Sequence, residues 1–162
     1  MNRILTFLSV TVLICSCNKT REEAKPDSTK NSKAEISNNE STVNGVALRL
    51  NSDHFTVAQL KRKVILIIKN GSGEAIMTGD NYHIEQLSDG KWEMLDVFRE
   101  LAFNSIGYMI PSGESKEFEI SFLADKQRYT PGKYRVVKHC VKDADIAPKA
   151  SYNLYFEFEV TP

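Results

Sequence analysis

Three cysteines and three histidines are the side chains best suited to chemistry here, and their spacing limits what they can do. His54, His83 and His139 lie far apart and form neither an i, i+4 pair nor a partner set for a Cys-x-x-Cys motif, so the sequence offers no metal-ligand spacing. In a strand, Asp53 and His54 would point to opposite faces. There is no Gly-x-Ser-x-Gly elbow, no phosphate loop and no Gly-rich dinucleotide fingerprint. Cys140 stands alone beyond residue 17, which excludes an intramolecular bridge in the folded part and suits a small buried filler. These residues predict a non-enzyme without cofactor or metal.

A second group could bind rather than react. Trp92, Tyr82 and Tyr108, with Phe98 and Phe103, gather around one predicted hairpin and the segment after it. Exposed, they would form an aromatic surface for glycan or peptide, because aromatic rings bring large contact area at small entropic cost. Buried, they are core between two sheets. Glu93, Arg99 and Glu100 read as a solvated rim.

The elements that must position these residues begin with an N-terminal address. Arg3 precedes an apolar run from Ile4 to Ile14, eleven residues long, whereas a spanning helix needs roughly 20. This is the pattern of a removed signal peptide, residues 1–16. Ile14-Cys15-Ser16-Cys17 resembles a bacterial lipobox, with small Ser16 before the cysteine that becomes the new N-terminus. Cys15 follows the bulky Ile14, which a peptidase demanding a small residue would reject. The resemblance implies lipidation of Cys17: two acyl chains hold a protein stably at a membrane, at about 0.8 kcal/mol per buried CH₂. The expected location is the bacterial cell envelope, at the outer membrane, with the face of the membrane left open.

Charge narrows the partners. Lys and Arg number 21 against 21 Asp and Glu, and loss of Arg3 with the signal leaves the mature chain close to neutral. That removes the basic footprint of nucleic-acid binding.

From residue 17 to residue 42 the chain reads as a lipidated cysteine followed by a disordered tether. Ile36 is the one large apolar residue between Asn18 and Thr42, too little to offset the entropy of ordering. As a coil this tether would hold the folded part on the order of 25–30 Å from the lipid. Asp27-Ser28-Thr29 resembles a short O-glycosylation motif of some Gram-negative bacteria. The Asn-x-Ser/Thr triplets at Asn18, Asn39 and Asn70 read as idle.

From Val43 to Pro162 the pattern becomes period two, broken by Gly, Pro, Asn and Asp. Val46, Leu48 and Leu50 share a face; Val64 to Ile68 is continuous and suits a strand covered on both sides. Tyr82–Leu87 and Trp92–Phe98 flank Asp89-Gly90, which supplies the positive φ of a hairpin turn. Phe103–Ile110 forms another run. Phe118, Ile120 and Phe122 alternate with Glu117, Glu119 and Ser121, and Phe156, Phe158 and Val160 alternate with Glu157 and Glu159. A single helical turn fits Ala124 to Arg128. The strand Tyr134–Val141 has no clean parity, which a bulge near Val136-Val137 would resolve. About eight strands with turns every 8–12 residues predict an all-β antiparallel sandwich, with a small barrel as the alternative.

AFNSIGYMIPSGESKEFEISF followed by YTPGKYRVVK, spanning Ala102 to Lys138, resembles a bacterial immunoglobulin-like domain family found largely in uncharacterised lipoproteins and secreted proteins. The resemblance implies an immunoglobulin-like sandwich and no activity. Tyr134, two residues before Val136, stands where such domains place a tyrosine-corner hydroxyl, the alternative being a plain core aromatic. With no cysteine pair, Val136 and the Ile65/Ile67 strand must join the sheets by packing alone. The expected function is that of a lipid-anchored, non-catalytic module for a protein or glycan ligand, of open oligomeric state. The alternative is an envelope inhibitor or accessory subunit docking onto an exported enzyme or uptake complex.

Overall fold

Alternation of apolar and polar residues builds ten strands: β1 (Thr42–Val43), β2 (Val46–Leu50), β3 (His54–Thr56), β4 (Lys63–Asn70), β5 (Ile76–Ser88), β6 (Lys91–Met94), β7 (Gly107–Ile110), β8 (Ser115–Ser121), β9 (Gly132–Lys142) and β10 (Ser151–Thr161). These belong to a computed structural model that describes residues 42–142 and 150–162. The expected signal peptide, Cys17 and all of the expected tether but Thr42 lie outside the described residues, as does most of the polar loop between Lys142 and Ser151. Ten strands rather than eight arise because two short edge pieces, β1 and β3, also pair.

The strands form two sheets. One has the order β1-β2-β4-β8. The other runs β3-β10-β9-β5-β6, with β7 also on β5. All pairings are antiparallel except β3 with β10. Pairing aligns the apolar parities into rows: Leu48, Ile68 and Leu50, Leu66, Phe118 in the first sheet, and Ile84, Val136, Phe156 in the second. All of these are buried, so the two inner faces form one hydrophobic layer, as a sandwich requires.

An aromatic group fills one end of that layer. Phe122 packs 5.2 Å from Phe55 and 5.1 Å from Phe158, and Tyr134 stacks 5.7 Å from Phe158. The Tyr134 hydroxyl donates to Thr130 O at 2.8 Å and accepts from Thr130 N–H at 3.2 Å, the corner bond expected of this position. Tyr129 donates to Phe122 O at 2.7 Å. No disulfide joins the described sheets, and Cys140 is a buried free thiol.

Local details follow the sequence in part. Asp89 (φ 50°) and Gly90 (φ 75°) make the left-handed pair of a tight hairpin turn and register Leu87 against Trp92. Lys126 and Gln127 N–H both donate to Leu123 O at 2.9 Å, a single turn where one was expected. Asn70 is fully buried: its Nδ2 donates to Glu74 O at 2.8 Å and Ile110 O at 2.9 Å, while Oδ1 accepts from Ser72 N–H at 3.0 Å. Its amide nitrogen is committed to holding two loops together.

Five expectations change. Asp53 and His54 do not part: their side chains lie 2.8 Å apart, because β3 begins only at His54 and Asp53 precedes the strand. The run from Trp92 is a strand only to Met94, and Asp96–Phe98 form a 3-10 turn. Val64, Leu66 and Ile68 face inward and carry the inter-sheet contact, whereas Ile65 and Ile67 are half-buried on the outer face, because period two sends neighbours to opposite sides even in a continuous apolar run. The run from Phe103 is a strand only from Gly107. The irregularity near Val136-Val137 lies instead on the partner strand: β9 is unbroken, and β5 sets Gly79, Asp80 and Asn81 against His139 alone. Lys138 therefore keeps its inward parity and is fully buried.

Candidate functional site

Burying an ammonium is costly unless its donors are satisfied, and the β5 bulge satisfies this one. Lys138 Nζ donates to Gly79 O and, at 3.1 Å, to Asn81 O. It also lies 4.2 Å from the centroid of the Phe118 ring, a cation–π contact across the sheets. Burial lowers its pKa from 10.5 to about 8, opposed by the charges of Cys140 and Asp80. From the sequence, Tyr134–Val141 lacks clean parity and a bulge near Val136-Val137 is expected, with no role assigned to Lys138. Its signal was visible all the same: a lysine sharing a face with Tyr134, Val136 and Cys140 needs carbonyls opposite it.

The bulge turns Asp80 toward the open side of the sandwich. A cleft of about 420 Å³ lies there, bounded by Asp80, Tyr82, Phe103, Tyr108 and the length of β8. Tyr108 donates its hydroxyl to Asp80, which raises the tyrosine pKa. Its ring meets Phe118 edge-on at 5.5 Å, and Lys116 Nζ sits 4.3 Å from its centroid. Tyr82 contacts Phe98 at 5.7 Å and Phe103 at 5.4 Å. Its hydroxyl donates to Ser121 O at 2.8 Å and accepts from Ser121 N–H at 2.9 Å, tying the last residue of β8 to the other sheet.

Of the three aromatics singled out in the sequence, the fold therefore brings Tyr82 and Tyr108 to one cleft and sends Trp92 elsewhere. Trp92 is half-buried on the outer face of the β5–β9–β10 sheet. Its ring lies 4.5 Å from the Arg135 guanidinium, which is also 5.2 Å from the Tyr155 ring and ion-paired with Glu85. The separation follows from the pleat: with Leu87 opposite Trp92, the tryptophan takes the outward parity, whereas Tyr82 lies inward opposite Lys138. Phe98 is buried, and Glu93, Arg99 and Glu100 are exposed, with Arg99 bonded to Asp96 at 3.1 Å.

Reactive groups are disposed differently. His83 and His139 border one small pocket of about 190 Å³, and His83 Nε2 lies 3.0 Å from Glu85. Among the described residues no group of three or more His, Cys, Asp or Glu is placed to hold a metal ion. Burial raises the Cys140 thiol pKa, which disfavours the thiolate a nucleophile needs. Among those residues no helix is long and apolar enough to cross a membrane.

Over 73% of its length the chain aligns with the structure of Pseudomonas fluorescens alkylpurine DNA glycosylase AlkC bound to DNA containing an abasic site analog, at 13% identity and a TM-score of 0.32. It spans 31% of that protein, and a likeness this distant carries no functional weight. No protein of curated function matches the sequence. The sequence model of the bacterial Ig-like domain, by contrast, covers residues 42–159, from the first strand almost to the end of β10, and the chain belongs to that family.

Proposed function

We propose that this protein is a non-catalytic interaction module of the bacterial cell envelope, held at a membrane by lipid on Cys17 and gripping a protein partner at the cleft beside β8. The observation that carries the reading is the cleft itself. It combines four aromatic side chains, Tyr82, Phe103, Tyr108 and Phe118, with charged groups from both sheets and an edge strand that no described strand joins on its outer side. Exposed edges are the places where a sheet accepts another chain. The Trp92 face suits a glycan less well, because Arg135 already covers one side of the ring.

Photo-crosslinking tests the reading in cells that produce the full chain. A benzophenone amino acid at position 108 is expected to give one discrete protein adduct, and the same probe at position 155, on the outer face of the other sheet, none. Adducts from position 155 alone would place the contact on the wrong surface. Adducts from neither position, with a glycan retained on the Trp92 face, would replace the protein partner with a sugar.

A further inference from the structure

β8 pairs with β4 on one side and ends its sheet on the other. Ser121 sends both its N–H and its C=O away from β4, to the Tyr82 hydroxyl. In an antiparallel strand these two groups of one residue point the same way and the direction alternates along the chain. Glu119 and Glu117 therefore direct their backbone groups outward as well, into a side where no described strand receives them. A row of donors and acceptors with strand spacing is matched by another extended chain.

The side chains along that edge say which kind. A strand laid against β8 alternates its own side chains between two environments. One is the cleft on the inner side, where the rings of Tyr82, Phe103, Tyr108 and Phe118 stand with Asp80 and Lys116, one charge of each sign. The other is the outer face, where Glu117 and Glu119 stand two residues apart and exposed. Lys63 pairs with Glu119; among the described residues Glu117 has no ion pair. The first environment takes apolar groups and the second takes cations. A second copy of β8 fits poorly, because the symmetric antiparallel register centred on Phe118 sets Glu117 of one copy against Glu119 of the other, and like charges directly opposite repel.

Resting on the edge-cleft reading above, we infer that β8 accepts an extended segment of a partner protein in which apolar and basic residues alternate. The apolar side chains enter the cleft, the basic ones meet Glu117 and Glu119, and the main chain bonds to both glutamates. Tyr82 closes the end of the edge at Ser121 and so fixes where the added strand stops.

The test uses the isotope-labelled full chain in nonionic detergent and three synthetic peptides about eight residues long, a usual strand length. One alternates Lys and Val, one alternates Glu and Val, and one has four Lys followed by four Val. The alternating Lys–Val peptide is expected to shift the amides of residues 115–121 and of Asp80 and Tyr108, and to bind about tenfold or more tightly than either of the others, as charge complementarity and register require. Exchanging both exposed acids, Glu117→Lys with Glu119→Lys, is expected to transfer the preference to the Glu–Val peptide; Glu117→Ala, which adds no new charge, is expected to weaken Lys–Val binding alone. Equal binding of all three peptides, shifts confined to other surfaces, or a protein dimer whose interface is β8 without peptide would each overturn the inference. A crosslinked partner at position 108 together with no preference for the Lys–Val peptide would defeat the charge rule and leave the edge-cleft reading in place.

Discussion

Lys138 shows what a single side chain contributes and what a sequence hides. Its inward position follows from strict alternation on β9, yet tolerance of the charge depends on carbonyls from a bulge 57 to 59 residues earlier, and no local pattern announces that pairing. Below about pH 8 the folded protein carries this buried ammonium at full desolvation cost. Between about 8 and 10.5 the folded side chain is neutral while the unfolded one still binds its proton, so the contribution of Lys138 to stability rises with pH across that window. Urea titrations at about pH 7 and about pH 9.5 measure the rise, on the order of 2–3 kcal/mol from a shift of this size. Lys138→Met is expected to flatten that dependence. At neutral pH it costs about 1 kcal/mol, since relief of the buried charge opposes two carbonyls left without a donor. Tyr134, by contrast, was legible from its place after Pro131-Gly132. Tyr134→Phe keeps the stacked ring and loses the bond to Thr130, which predicts a loss of about 1 kcal/mol in equilibrium unfolding with an unchanged circular dichroism spectrum.

At the scale of elements, alternation was readable wherever one face meets the core and the other meets water. The parities of β2, β8 and β10 came directly from their apolar residues. Legibility failed where both faces carry apolar residues. In β4 the continuous run conceals which half points inward, and only pairing with Phe118 and Ile120 on β8 selects Leu66 and Val64. It failed again for the aromatics near the hairpin, because a cluster in sequence is divided by the pleat: Tyr82 and Tyr108 reached one cleft and Trp92 the opposite face. The turn itself was plain, since Asp-Gly is the pair that accepts two left-handed residues. Gly90 has positive φ and open space around its missing Cβ. Gly90→Ala is therefore expected to cost about 1–2 kcal/mol from backbone strain alone. Gly73 has equal space without the left-handed backbone, and Gly73→Ala should change stability by less than about 0.5 kcal/mol. Thermal unfolding of the two variants side by side separates strain from packing.

At the scale of the molecule, the described residues form the sandwich, and the address and polar stretch before it belong to the proposal. Burial between two sheets holds the sandwich, with no disulfide among its described residues. The proposed anchor rests on acyl chains alone: the apolar run is too short to span, and two chains on one cysteine suffice for lasting membrane contact. The proposed anchor would keep the sandwich and its β8 edge in the cell envelope. Mass spectrometry of the processed N-terminal peptide, taken from membranes of bacteria producing the full chain, tests that arrangement most directly. The expected result is a chain that begins at Cys17 and carries a thioether-linked diacylglycerol, with Cys17→Ala leaving the membrane fraction. An unmodified Cys17 thiol on the mature chain, or a Cys17→Ala protein still bound to the membrane, would contradict it.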